Sequence, residues 1–146
     1  MPNLARTVTI TRVMDAVAAG QTDQEGTVVD MANAEGVVFI AAFGTLGDDA
    51  VTGLKVQQGD DPTLTDAADL AGTAQAIAQT DDNGLLVVDL VRPAKRYVRA
   101  VVTRGTADAV IDGVIAIQYG TRVLPTTQGD TVAALETHVS PAEGTA

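Results

Sequence analysis

Cysteine and tryptophan are missing from this 146-residue chain, histidine occurs once, and aromatic side chains make up only 3% of it. Without cysteine there is neither a disulfide framework nor a thiolate zinc site. The lone histidine, His138, lies in the tail, and no serine sits in a nucleophile-elbow setting, so triad catalysis and histidine-based metal catalysis have no residues to build on. With no tryptophan and two tyrosines there is no evident platform for stacking a sugar, which disfavours a lectin or a glycosidase. Basic residues are scarce as well, 9 against 19 acidic, for a net charge of −10. Binding to nucleic-acid phosphates needs the opposite balance. No apolar run reaches transmembrane length, and the N-terminus lacks the charged-then-apolar plan of a signal peptide. The expectation is a non-enzymatic soluble protein, mature as encoded, with no cofactor, no metal, no nucleic-acid partner and no membrane partner.

What the chain does have is β-branched and small apolar residues. Its hydrophobic share is 46%, so a core of Val, Ile, Leu and Ala is within reach, and 14 glycines supply turns. Three apolar runs follow one another closely: Leu85 to Val91, Tyr97 to Val102 and Ala109 to Tyr119. Each is short and β-branched enough to be a strand. In the middle run Val98, Ala100 and Val102 share one face, opposite Tyr97, Arg99 and Thr103. In the last, Ile111, Gly113, Ile115, Ile117 and Tyr119 share a face, with Asp112 and Gln118 opposite. The simplest arrangement is an antiparallel meander over a core that the rest of the chain closes.

Earlier segments fit that plan. Arg6 to Val13 alternates as a half-buried strand, Met14 to Gly26 reads as a short helical turn and a polar loop, and Thr27 to Met31 reads as another strand. Gly36 to Phe43, GVVFIAAF, is apolar on both faces and holds both phenylalanines, which marks a central strand covered on both sides. Gly44 to Gly53 reads as a turn, Leu54 to Gln58 as a strand, Thr65 to Leu70 as a short helix capped by Thr65, and Ala74 to Gln79 as an edge strand. Asp81-Asp82-Asn83-Gly84 carries the strongest hairpin signal. The expected fold is all-β, an antiparallel sandwich of jelly-roll-like or immunoglobulin-like topology with at most one short helix and extended termini. A closed barrel stays open as an alternative. The expected division is a sandwich over 1–122 and an extended C-terminal arm over 123–146, a polar stretch that stays ordered only if it lies along its own body or against a neighbouring chain.

Charged residues offer one docking patch. The acidic pairs Asp48-Asp49, Asp60-Asp61 and Asp81-Asp82 fall in turns without the ligand spacing of a calcium loop, and read as solvated carboxylates. Five of the nine basic residues, Arg92, Lys95, Arg96, Arg99 and Arg104, fall in a stretch with no acid between Asp89 and Asp108. Such a patch pairs either with the chain's own Asp89, Asp108 or Asp112, or with an acidic partner. In the arm, Pro125, His138 and Pro141 join these as candidate partner-binding residues.

LKVQQGDD at 54–61, DLAGT at 69–73, RPAKRYVR at 92–99, AVIDGVIAIQYG at 109–120 and HVSPAEGTA at 138–146 together resemble the capsid decoration, or cement, proteins of tailed bacteriophages. The likeness spans roughly Val37 to the C-terminus and transfers no active site. It implies a virion structural protein that waits in the host cytoplasm, binds the outer surface of the major capsid protein lattice, and clusters with itself, for instance as a trimer. A phage tail or head-completion protein, and a free β-sandwich ligand-binding module, are the alternatives.

Overall fold

The β-branched runs become the long strands of two antiparallel sheets. The computed structural model describes residues 3–145, and in chain order its elements are α1 (Leu4–Thr7), β1 (Thr9–Met14), β2 (Val17–Gly20), β3 (Gln24–Glu25), β4 (Val29–Asp30), β5 (Gly36–Leu46), β6 (Val51–Gly59), β7 (Ala68–Asp69), β8 (Gln75–Ile77), β9 (Leu85–Val91), β10 (Tyr97–Gly105) and β11 (Ala109–Tyr119). The first sheet runs β1-β11-β5-β9, with β2 also on β11. The second runs β3-β10-β6-β7, with β4 also on β10 and β8 also on β6. The fold class is the expected one, an all-β sandwich with one short helix among the described residues. Its core lies between the sheets: Val37, Phe39, Ala41 and Phe43 from β5 face Leu54, Val56, Val98, Ala100 and Val102.

The last three strands lie where they were expected but form no meander. β9 and β11 both pair with β5, whereas β10 pairs with β6 in the other sheet. Strands with one strongly apolar face bury it best against an opposing sheet, so the chain changes sheet at each connection instead of folding back beside itself. Arg92 and Thr106, at φ 50 and 67, turn the backbone over at these two crossings. Asn83, at φ 62, belongs to a third crossing, from β8 to β9, and not to a hairpin.

A bulge corrects the facing of β11. Ile111 opposes Phe43 and Gly113 opposes Ala42, so Asp112 is an extra residue, and everything beyond it changes face. Val114 and Ala116 are buried, while Ile115 is 42% exposed on the outside. Gly113 sits at φ 143 in this bulge, a conformation that side chains resist.

Four shorter segments also differ from expectation. Arg6 and Thr7 belong to α1, where the Thr7 hydroxyl donates to the Leu4 carbonyl, and not to a strand. The stretch expected to be a helical turn and loop supplies β2 and β3, which close the edges of β11 and β10. β5 and β6 run on to Leu46 and back to Val51, which shrinks the expected turn at 44–53. No helix forms at Thr65 to Leu70. Instead the Asp66 carboxylate accepts the amides of Asp60 and Asp61, and Leu70 donates to the Val56 carbonyl, so pairing along β6 outweighs local helix propensity.

Candidate docking surfaces

Four of the five clustered basic residues reach the surface, each against an acid of its own chain. Arg96 makes a two-point bond to Asp30 at 2.8 Å on each arm and lies 5.1 Å from the centre of the Tyr97 ring. Arg99 bonds Glu25 at 2.8 Å and the Gln57 side-chain oxygen at 2.8 Å. Lys95 lies 3.0 Å from Asp60 and 3.9 Å from Asp66, and Arg92 is 3.9 Å from Glu35. None of these partners is Asp89, Asp108 or Asp112. The sandwich brings acids from β3, β4 and the loop after β6 over the basic strand, which linear spacing does not reveal. Together Arg92, Lys95, Arg96, Glu35 and Arg122 line a shallow depression of about 460 Å³.

Arg104 goes elsewhere. It is 7% exposed, and its guanidinium donates to the carbonyls of Thr22 at 2.8 Å, Ala18 at 2.9 Å and Ala109 at 2.8 Å. Its position is in phase with Val98, Ala100 and Val102, so the alternation that marked those three as buried also points this cation inward.

These pairings set a pH dependence. The Arg96 hydrogen bonds hold the Asp30 carboxyl below its ordinary value, despite some burial. Asp61 is lowered chiefly by the Thr63 hydroxyl, Asp66 by the Asp60 amide, and Asp69 by Lys55. A carboxylate whose folded pKa lies below its unfolded one adds stability above the unfolded value, near 3.9, and loses it as pH falls through the folded value. Urea midpoints should therefore be insensitive to these four groups from neutrality to about pH 5 and fall below about pH 4. Asp30→Asn should show a shallower fall, and an unchanged slope would remove Asp30 from the linkage.

The two outer faces of the sandwich differ in chemistry. The second sheet is dressed with the Lys55–Asp69 pair at 2.8 Å, Gln57 and the Arg99–Glu25 pair. The first sheet turns Val38, Ile40, Ile115, Ile117, Val87 and Leu85 outward. At one end the Tyr119 ring crosses Gly36 and its hydroxyl donates to Asp89 at 2.6 Å, which with burial pushes the phenol up to about 12. A Cβ at Gly36 would come within 2.2 Å of the ring, so a side chain there would displace Tyr119 from this position.

The C-terminal segment is half tethered and half free. Residues 126–132 follow the outer edge of β1: Thr126 donates to the Arg6 carbonyl at 3.0 Å, and Gly129 to that of Ile10 at 3.1 Å. Gln128 and Thr131 side chains accept the edge amides of Ile10 at 2.8 Å and Arg12 at 2.7 Å. Beyond Val132 every described residue is exposed, including Leu135 at 46% and Val139 at 95%. Pro125 is exposed beside this tether, and Pro141 lies in the free part. His138 meets only Glu136, at 2.8 Å, within the described chain. Ala146 and the first two residues lie outside the described residues.

No family model and no curated protein matches the chain. Among solved structures it is similar to the PBSX exported protein XepA, with a TM-score of 0.50 and 18% identity over 99% of this chain and 46% of that one. The likeness is one of fold. This chain spans under half the length of XepA. A structure of infectious bursal disease virus, Gt strain, is also found, with a TM-score of 0.40 and 10% identity over 77% of this chain and 32% of that one. Among the described residues, no three carboxylate, imidazole or thiol groups gather as a metal site would require.

Proposed function

We propose that this chain is a non-enzymatic structural protein of a tailed-phage virion, which decorates the outer surface of the capsid lattice and stabilises the head. The observation that carries this reading is the C-terminal arm: a segment fastened along β1 as far as Thr131, followed by the exposed residues 133–145, with Leu135 at 46% and Val139 at 95% among them. A rigid body with a tethered, apolar-tipped arm grips a neighbour by ordering the arm upon it, and repeated copies on a lattice multiply weak grips. The sequence resemblance to decoration proteins supports the virion class, and the sandwich fold, similar to that of the PBSX exported protein XepA, is compatible with it. Each bound copy raises the barrier to separation of the shell subunits it bridges.

Co-sedimentation with undecorated capsid shells tests this. The full chain should pellet saturably, and a chain ending at Val132 should bind at least about tenfold more weakly with an unchanged circular dichroism spectrum. A full chain that stays in the supernatant overturns the capsid role.

A further inference from the structure

We propose that the outer face of the first sheet is a self-association surface, where a second copy of this chain packs sheet to sheet with β1 of each copy over β9 of the other. This is read from the sheet's own chemistry and does not rest on the virion role.

An antiparallel sheet with one face in water alternates apolar and polar side chains. β5, β9 and β11 do not, because both of their faces are apolar over most of their length. The second face of β5 is left open by this chain, although its composition is that of a strand covered on both sides. Leu85 is 60% exposed, Val91 60%, Val87 45% and Ile115 42%. Between them lie Val38, Ile40 and Ile117, half-buried only by their neighbours in the sheet. Four strands at about 4.8 Å spacing and seven residues of rise give a face of roughly 19 by 23 Å. That is roughly 440 Å², within the range of the largest patch a monomer carries, a size at which such patches are often functional. It supplies about half of the ~800 Å² per partner of a standard interface, which fits a weak, concentration-dependent pair.

The pattern on the face selects a copy of itself. In register, one row across β1, β11, β5 and β9 reads Ile10, Ile117, Val38, Asp89, and the next reads Arg12, Ile115, Ile40, Val87. A two-fold axis along the strands, midway between β11 and β5, exchanges β1 with β9 and β11 with β5. It lays Ile115 over Ile40 and Ile117 over Val38, near-identical partners, and so closes the pair isologously. The two charges stand on opposite edges, one row apart. Arg12 donates to its own Met14 and Asp112 carbonyls, and Asp89 accepts its own Tyr119 hydroxyl. The same axis adds a further partner by bringing each Arg12 within side-chain reach of the copy's Asp89, one step of about 7 Å along the strand. A groove of about 450 Å³ crosses this face from Ile10 and Arg12 on β1, past Ile115 and Ile40, to Leu85 on β9, and receives the apolar side chains of the copy.

Sedimentation velocity on the full chain from about 1 to about 200 µM reads the outcome. The wild type should pass from monomer to dimer. Val87→Lys, at an exposed site that tolerates lysine in the monomer, should raise the midpoint concentration at least about tenfold while circular dichroism stays the same. Arg12→Asp should weaken pairing and the double change Arg12→Asp, Asp89→Arg should recover it. A chain that is monomeric throughout, a dimer indifferent to Val87→Lys, or a double variant no tighter than Arg12→Asp would each overturn the proposal. Capture of a capsid subunit by this face in place of a copy would do so too.

Discussion

Arg104→Met should be among the most damaging single substitutions in this protein, lowering stability by about 3–5 kcal/mol and the melting temperature by roughly 10 °C. The expectation runs against a general argument. A buried guanidinium has lost its hydration, the Asp23 carboxylate here accepts the Arg104 main-chain amide, and replacing buried charged groups by apolar residues of similar volume is often neutral or stabilising. What decides the sign is the identity of the partners. Arg104 serves the main-chain carbonyls of Ala18, Thr22 and Ala109, which no side-chain replacement can remove. Losing the donor leaves these acceptors short at about 1–3 kcal/mol for each one that water does not reach. It also unpins β2, the turn that follows it and the start of β11 from the end of β10. Gly20 belongs to the same construction, since a Cβ there would lie 3.3 Å from the guanidinium. Arg104→Lys should recover only part of the loss, because one ammonium cannot fork to three carbonyls. Urea denaturation of the two variants measures this, and a methionine variant within 1 kcal/mol of wild type, on the order of a surface change, would show that water replaces the guanidinium freely.

Strand positions were legible because alternation and β-branching are local properties, and GVVFIAAF announced a central strand from composition alone. Which strands pair was not legible. Meander and sandwich place the same residues in the same strands and differ only in which sheet each crossing enters, a choice made by burial against distant residues. The facing of Ile115 and Ile117 depended on one inserted residue, Asp112, and the signal available was an Asp-Gly pair inside an otherwise apolar run, the composition of a bulge. Thr65 to Leu70 had the residues of a capped helix, but Asp66 was more valuable as an acceptor for the Asp60 and Asp61 amides. Among the candidate docking residues, the inward turn of Arg104 could have been read by extending the alternation of Val98, Ala100 and Val102 by one step. The acids facing Arg96 and Arg99 could not, since Asp30 and Glu25 lie some seventy residues away in sequence and meet them only through the second sheet.

Phe39→Ala should match Arg104→Met in cost, at about 3–5 kcal/mol, for a different reason. With aromatics scarce, the two phenylalanines of β5 are the largest side chains fully buried between the sheets. Phe39 stands in register with Ala116 on β11 and Val88 on β9, so its ring fills the space above a residue that contributes a single methyl. Truncation opens a cavity that the surroundings are poorly equipped to close. Val37, Val56, Val98 and Val102 are β-branched and stiff at χ1, and Ala41, Ala100 and Ala116 have nothing to extend, which leaves the fewer Leu and Met of the core, Leu46, Leu54, Met14 and Met31, to move in. A core rich in leucine and methionine would relax into the gap and recover part of the loss, and this one should stay near the upper end of the range. Phe39→Leu keeps most of the volume and should cost about 1–2 kcal/mol, while Leu85→Ala, on the outer face, should change the monomer's stability by about 0.5 kcal/mol or less. Urea midpoints measured at a concentration where the chain is monomeric separate the three. If Phe39→Ala costs no more than Phe39→Leu, the valines move more freely than their branching allows, and the rigidity ascribed to this interior is wrong.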